Sequence, residues 1–194
     1  MENDTDDELR FEITFFAPFR VATGTAAQGV DAAVDLGNPL PGASLKGLML
    51  SAARDVLELR RDALDKVFGS HAKQSPWAFN DAIVCKNGSV VGADQVAQRH
   101  RVAIDAATHT ARENYLLLGE VIHADRAEFT VERIRYLPPD ESARHKLILT
   151  AAARAVHSLG AQRRRGLGWV GITGGADLCG HFQELLELRR PACS

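Results

Sequence analysis

Asn38-Pro39-Leu40-Pro41-Gly42-Ala43-Ser44-Leu45-Lys46-Gly47-Leu48-Met49 marks the point where a long loop becomes a helix. Two prolines and a glycine stop the loop, and Ser44 is of the type that caps a helix. Apolar residues then fall at Leu45, Leu48, Met49, Ala52, Val56 and Leu59, one face of a helix predicted to end near Arg61. Lys46 stands in its first turn. A cation beside free backbone N–H groups suits a phosphate. The plainer alternative is a well-capped helix with a solvated lysine. The stretch lacks the GxxxxGK[ST] spacing of a P-loop.

Upstream of this turn, Phe11, Ile13 and Phe15 alternate with Glu12 and Thr14, which predicts a strand over 9–17. Residues 18–43 are rich in Gly, Ala, Pro and Asp and read as a long loop, a length that is usually functional or disordered. Downstream, residues 77–85 read as a second strand closed by Asn87-Gly88. Residues 89–114 read as a polar, irregular insertion apart from a short piece at 102–104. Phe129–Ile134 predicts a third strand, which Pro138-Pro139 ends. Asp140 is placed to help start a helix whose apolar face is Leu147, Ile148, Ala151, Ala152, Ala155, Val156 and Leu159. A glycine-arginine loop at 160–168 leads to a last strand, 169–173. Leu178, Phe182, Leu185 and Leu186 predict a C-terminal amphipathic helix within 176–194. The order β-α-β-(insertion)-β-α-β is an α/β (α+β), ferredoxin-like or RRM-like plan over 9–175.

The 194 residues are 45% hydrophobic and 25% charged, enough to bury a core without staples. No apolar run approaches a membrane span, and no secretory core is present at the N-terminus, so a cytoplasmic protein is expected. The three cysteines form no CxxC. Net charge is −2. Residues 1–8, expected to be a disordered acidic tail, carry Glu2, Asp4, Asp6, Asp7 and Glu8 with no base, so the remaining body is mildly basic. A single copy with so modest a charge would hold nucleic acid poorly; several copies sharing a strand would hold it better.

Four places could carry chemistry. The turn at 40–47 is one. In Gly160-Ala161-Gln162-Arg163-Arg164-Arg165-Gly166-Leu167-Gly168, glycines permit close backbone approach and arginines can fork onto phosphates, or the loop is a tight turn with solvated charges. Asp31 and Asp35, in the loop after the first strand, are each a candidate base or Mg²⁺ ligand, or a turn former. Arg99, His100 and Arg101 could contact RNA, or be solvated. The histidines show no HExxH spacing, and there is no GxSxG.

Taken in order, these stretches resemble the repeat-associated mysterious protein (RAMP) superfamily, most closely the backbone subunits of type III CRISPR effector complexes. Leu40–Gly47 is similar to the family's "IPGSSLKG" turn, with Ala43 in place of a serine. Lys66–Ser70 with Phe79–Ala82 resembles its "LFG…f-x-DA" passage. Arg101–Asp105, with Thr108 and Glu120, resembles its thumb region, and Arg163–Gly168 its late glycine-rich loop. The resemblance implies a palm with an inserted thumb-like segment at about 89–114. It implies copies stacked in a filament along a CRISPR guide RNA with other type III subunits, and thumbs that interrupt guide–target pairing. It also implies metal-dependent cutting of target RNA, at Asp31 by position, with Mg²⁺ or another divalent cation. Ser44, Lys46 and the loop residues Arg163, Arg164, Arg165, Gly166 and Gly168 would hold the guide backbone, with Arg20, Arg99 and Arg101 as further RNA contacts. Some subunits of such complexes keep the fold and do not cut. A non-catalytic guide scaffold and a stand-alone RNA-processing ribonuclease are therefore the alternatives.

Overall fold

The structure is a computed structural model and describes residues 7–21 and 33–190. Strand β1 (Glu8–Phe15) is followed by helix α1 (Gly42–Asp55) and helix α2 (Arg61–Phe68). The short strands β2 (Trp77–Phe79), β3 (Ile83–Lys86) and β4 (Ser89–Val90) come next. A hairpin of β5 (Val96–Ile104) and β6 (Ala111–Ile122) precedes β7 (Arg126–Arg133). Helix α3 (Pro139–Arg154), β8 (Val170–Gly174) and the short helix α4 (Phe182–Glu187) complete the chain.

The main sheet has the order β4-β3-β7-β1-β8, and β2 extends the β3 side by pairing with β7. Every strand pairing in it is antiparallel. Counting β2 and β3 as one interrupted strand, this is the ferredoxin-like arrangement, with α1 and α3 on one face. The alternation in β1 sets that face. Leu9, Phe11, Ile13 and Phe15 are buried, beside Ala127, Phe129 and Val131 of β7 and Val170 and Ile172 of β8. Leu45, Met49 and Ala53 of α1 and Ile148, Leu149 and Ala152 of α3 close over them. Phe11 and Phe129, directly opposite in register, stack at 5.0 Å. Each such buried side chain contributes roughly 1.5–3 kcal/mol.

Several expectations change. The helix predicted to reach Arg61 ends at Asp55, and a separate helix starts at Arg61. Glu58 takes a left-handed φ of 55°, and the connecting segment is pinned to the C-terminal part of the chain by the Leu59–Arg189 bridge. The 89–114 stretch, expected to be irregular apart from 102–104, instead contributes to the β5–β6 hairpin over 96–122, a second two-stranded sheet. Two residues expected within the disordered tail, Asp7 and Glu8, are held in place. Glu8 already pairs with Glu132 in the β1–β7 ladder, and Asp7 forms an ion pair with Arg133. Among the described residues, no helix is long and apolar enough to cross a membrane.

Candidate nucleic-acid interface

The late loop is fixed by two glycines. Gly160 has φ +75°, and a Cβ there would lie 2.2 Å from the Arg20 carbonyl oxygen. Gly168 has φ +69°, and a Cβ there would lie 1.9 Å from the Leu159 carbonyl oxygen. Only glycine permits both the dihedral and the approach. The backbone is then stitched down. Leu159 N–H donates to Gly168 O (2.8 Å), Ala161 N–H to Arg20 O (2.7 Å), and Gly168 N–H to Pro18 O (2.8 Å). Between these stitches Arg163, Arg164 and Arg165 make one short helical turn, all three exposed and none ion-paired with a described residue.

Gln162 leads into that turn with a left-handed φ of 62°. With its amide oxygen turned inward, it accepts from Arg20 Nη2 at 3.0 Å and from Arg101 Nη1 at 2.6 Å. Two guanidiniums, one following β1 and one on the hairpin, thus share a single neutral acceptor. Arg20 is buried, and its Nε has no hydrogen-bond partner among the described residues. Burial, and then repulsion from Arg101, push the Arg20 pKa down. A buried donor without an acceptor beside a second cation is costly unless an anion comes in. Arg99 is two positions from Arg101 on β5, so both side chains leave the same face of the hairpin, and Arg99 is exposed. Arg20, Arg99, Arg101 and Arg163–Arg165 therefore gather where the hairpin meets the palm.

The acid-bearing loop reaches the same junction. Val34 N–H donates to Glu120 Oε2 on β6 at 3.0 Å. Asp35 Oδ1 accepts from the N–H groups of Gly37 (2.8 Å) and Asn38 (3.3 Å), the geometry of a turn former. Asp31 lies outside the described residues. Among the described residues, no three His, Cys, Asp or Glu converge on a point that could hold a metal ion.

The 40–47 turn is built differently from its reading in sequence. The N-cap is Pro41, and Ser44 is inside the first turn, with no side-chain cap bond. Its N–H and that of Leu45 go to Pro41 O. The helix start is held instead by Asp81, whose Oδ1 accepts from Gly42 N–H at 2.7 Å while Oδ2 accepts from Asn38 Nδ2 at 2.7 Å. A carboxylate thus occupies part of the positive helix end that a phosphate was expected to meet. Gly42 allows this, since a Cβ there would sit 2.1 Å from Phe79 O. Lys46 Nζ lies 5.9 Å from the centre of the Phe79 ring, a cation–π contact. This site is on the β2 side of the sheet, and the late loop is on the β8 side. Three strand spacings, about 14 Å, lie between them. Of the expected RNA contacts, Arg20, Arg99, Arg101 and the late loop come together, and Ser44 and Lys46 stand apart. Gln162, Glu120 and Asp81 lie in stretches marked in sequence, but the bonds they make were not expected there. Asp81 is the acid of the Phe79–Ala82 passage that carries part of the resemblance, but its bond to Gly42 N–H is not readable there.

The RAMP superfamily profile matches residues 20–171, most of the chain. The chain belongs to the RAMP superfamily. The matched span contains the acid-bearing loop, helices α1 to α3, the hairpin and the late loop; β1 lies before it. In fold, this RAMP protein is similar to a chain of the type III-B Cmr-beta bound to cognate target RNA. The TM-score is 0.69 and the identity 14%, over 86% of this chain and 96% of that one. It is likewise similar to a chain of the apo state of type III-B Cmr-beta, with TM-score 0.68 and 13% identity over 87% and 97%. Comparison with curated protein sequences returned no match.

Proposed function

We propose that this RAMP protein is an RNA-binding backbone subunit of a type III CRISPR effector complex and holds the guide RNA at the junction of palm and hairpin. The observation that carries the reading is the sharing of Gln162 by Arg20 and Arg101 beneath the exposed Arg163–Arg165 turn. The cluster supplies several phosphate donors, one of them buried with no partner among the described residues. The fold likeness to Cmr-beta chains supports the assignment to such a complex, with guide RNA, target RNA, other subunits and further copies of the chain as partners.

The test is RNA binding by the protein purified with its neighbouring subunits. Replacing Arg163, Arg164 and Arg165 with alanine is expected to weaken guide retention and flatten its salt dependence. Retention and salt slope equal to wild type would overturn the reading.

A second reading adds target cleavage supported by Asp31. The Val34–Glu120 bond favours it, because it ties the segment just after Asp31 to the hairpin that would splay the RNA. RNA carries its own nucleophile, the 2′-hydroxyl, so a loop carboxylate needs only to act as base or hold a divalent ion. Asp31→Ala is expected to abolish Mg²⁺-dependent cutting with guide binding intact. Cutting at the wild-type rate would overturn the assignment of catalysis to Asp31.

A further inference from the structure

The sheet face opposite the helices is uneven. Its centre is acidic: Glu8 stands directly opposite Glu132, and Glu12 directly opposite Glu128. Arg10 and Arg126 offset this only in part, through ion pairs with Glu8 and Glu12. A phosphodiester chain laid across that centre would meet like charge. The corner where β1 ends and β8 begins is different. Phe16 N–H donates to Trp169 O at 2.9 Å, one step beyond the Phe15–Val170 pair. The two residues are therefore cross-strand neighbours on one face. Both are open to solvent, Phe16 at 69% and Trp169 at 59% exposure. Next to them is Gly171, which presents no side chain; its would-be Cβ is 3.4 Å from the Phe16 ring. Trp169 directly follows the late loop, so the aromatic pair continues from the Arg163–Arg165 turn.

We infer that Phe16 and Trp169 form a stacking platform for one unpaired base of the RNA whose phosphates the late loop holds. This rests on the RNA-binding reading above and adds to it a base contact and its place. Aromatic faces beside cations are the common means of holding single-stranded nucleic acid, because every base has a π-face and every linkage a charge. In RNA-recognition motifs the stacking aromatics lie on the same open sheet face and take two or three bases. Here the acidic centre excludes that path and confines stacking to the corner. The Phe16 ring packs over the bare Gly171, which seats it beside Trp169 with its outer face open.

The probe is a single-stranded uridine or adenosine 12-mer, titrated into the full-length protein at low salt, with RNA anisotropy and tryptophan emission read together. Trp77 is buried at 2% exposure and Trp169 is open, so quenching on binding reports Trp169. Wild-type emission should be quenched, and Trp169→Phe, which keeps only Trp77, should bind without quenching. Phe16→Ala and Trp169→Ala should each weaken binding about 5- to 150-fold with the salt slope unchanged. Binding that leaves wild-type emission and the alanine variants' affinities unchanged would overturn the platform and leave the RNA reading standing. So would a corner whose variants alter self-association in sedimentation and not RNA affinity, since it would then be a protein interface. No RNA binding by wild type, alone or with its neighbouring subunits, would overturn both.

Discussion

Asp81 caps the helix that begins at Gly42, from 39 residues downstream: its Oδ1 accepts the Gly42 N–H at 2.7 Å. The helix start is thus fixed from the β2–β3 joint, across the sheet edge, and not by a residue of its own turn. Asp81→Ala removes that acceptor and the bond from Asn38 together. Loss of a helix cap costs about 0.5–2 kcal/mol. Urea unfolding should show a lower midpoint for Asp81→Ala, while Ser44→Ala, which removes no cap bond, should stay near wild type.

Gly168 and Gly166 give a paired test of the late loop. Both have positive φ, +69° and +75°. A Cβ at Gly168 runs into the Leu159 carbonyl, whereas one at Gly166 meets nothing within 4 Å. Gly166→Ala therefore bears only the left-handed strain, roughly 1–2 kcal/mol. Gly168→Ala must also break the Leu159–Gly168 stitch. Thermal denaturation should rank Gly168→Ala well below Gly166→Ala. Equal loss would mean that the close approach is unimportant.

The palm was legible in sequence because its central strands β1 and β7 each have one wet and one dry face. Phe11, Ile13 and Phe15 could alternate with polar residues only if helices covered one side. The hairpin gave no such signal. Gln98, Arg99 and His100 are all exposed along β5, so both faces meet solvent and the residues show no period. Its strand character comes from the partner strand, which is not local information. The helix break at Glu58 was hidden for a similar reason: a glutamate takes a left-handed conformation there, with no Gly or Pro to announce it. The late loop was legible as a glycine-arginine run. The role of Gln162 was not, since it depends on Arg20 and Arg101 arriving from two other segments.

His145 supplies a pH dependence. It is buried on α3, and its Nδ1 accepts from Trp77 Nε1 at 3.1 Å. Nε2 therefore carries the ring proton and faces Glu141 Oε1 at 3.7 Å. Burial pushes the His145 pKa below its ordinary 6.5; Glu141 opposes this, and Lys66, Lys73 and Arg144 add to it. The unfolded chain then binds the proton more readily than the folded one below pH 6.5. Stability should fall as pH drops from 6.5 through the lowered folded value. His145→Phe should flatten that slope in urea unfolding measured between pH 7 and pH 5, whatever its effect on stability at neutral pH. An unchanged slope would place the proton uptake elsewhere.

Gln162→Glu separates the needs of the folded chain from those of the ligand. In the RNA-free protein, Gln162 is a neutral acceptor for two cations, one of them buried with an Nε that has no partner among the described residues. A carboxylate at the same place would make both bonds charge-assisted and relieve the Arg20–Arg101 repulsion that lowers the Arg20 pKa. Thermal stability without RNA should therefore rise. The same carboxylate would cancel charge that RNA phosphates are proposed to use, so RNA affinity should fall, and its salt slope with it. The two effects have opposite signs, which a general loosening of the loop cannot produce. Gln162→Met, with no acceptor of comparable strength, should instead lower stability by about 1–3 kcal/mol by leaving both guanidiniums unbridged. A Gln162→Glu protein that melts lower and binds RNA as tightly as wild type would show that the shared acceptor is not what holds the palm and hairpin cations together.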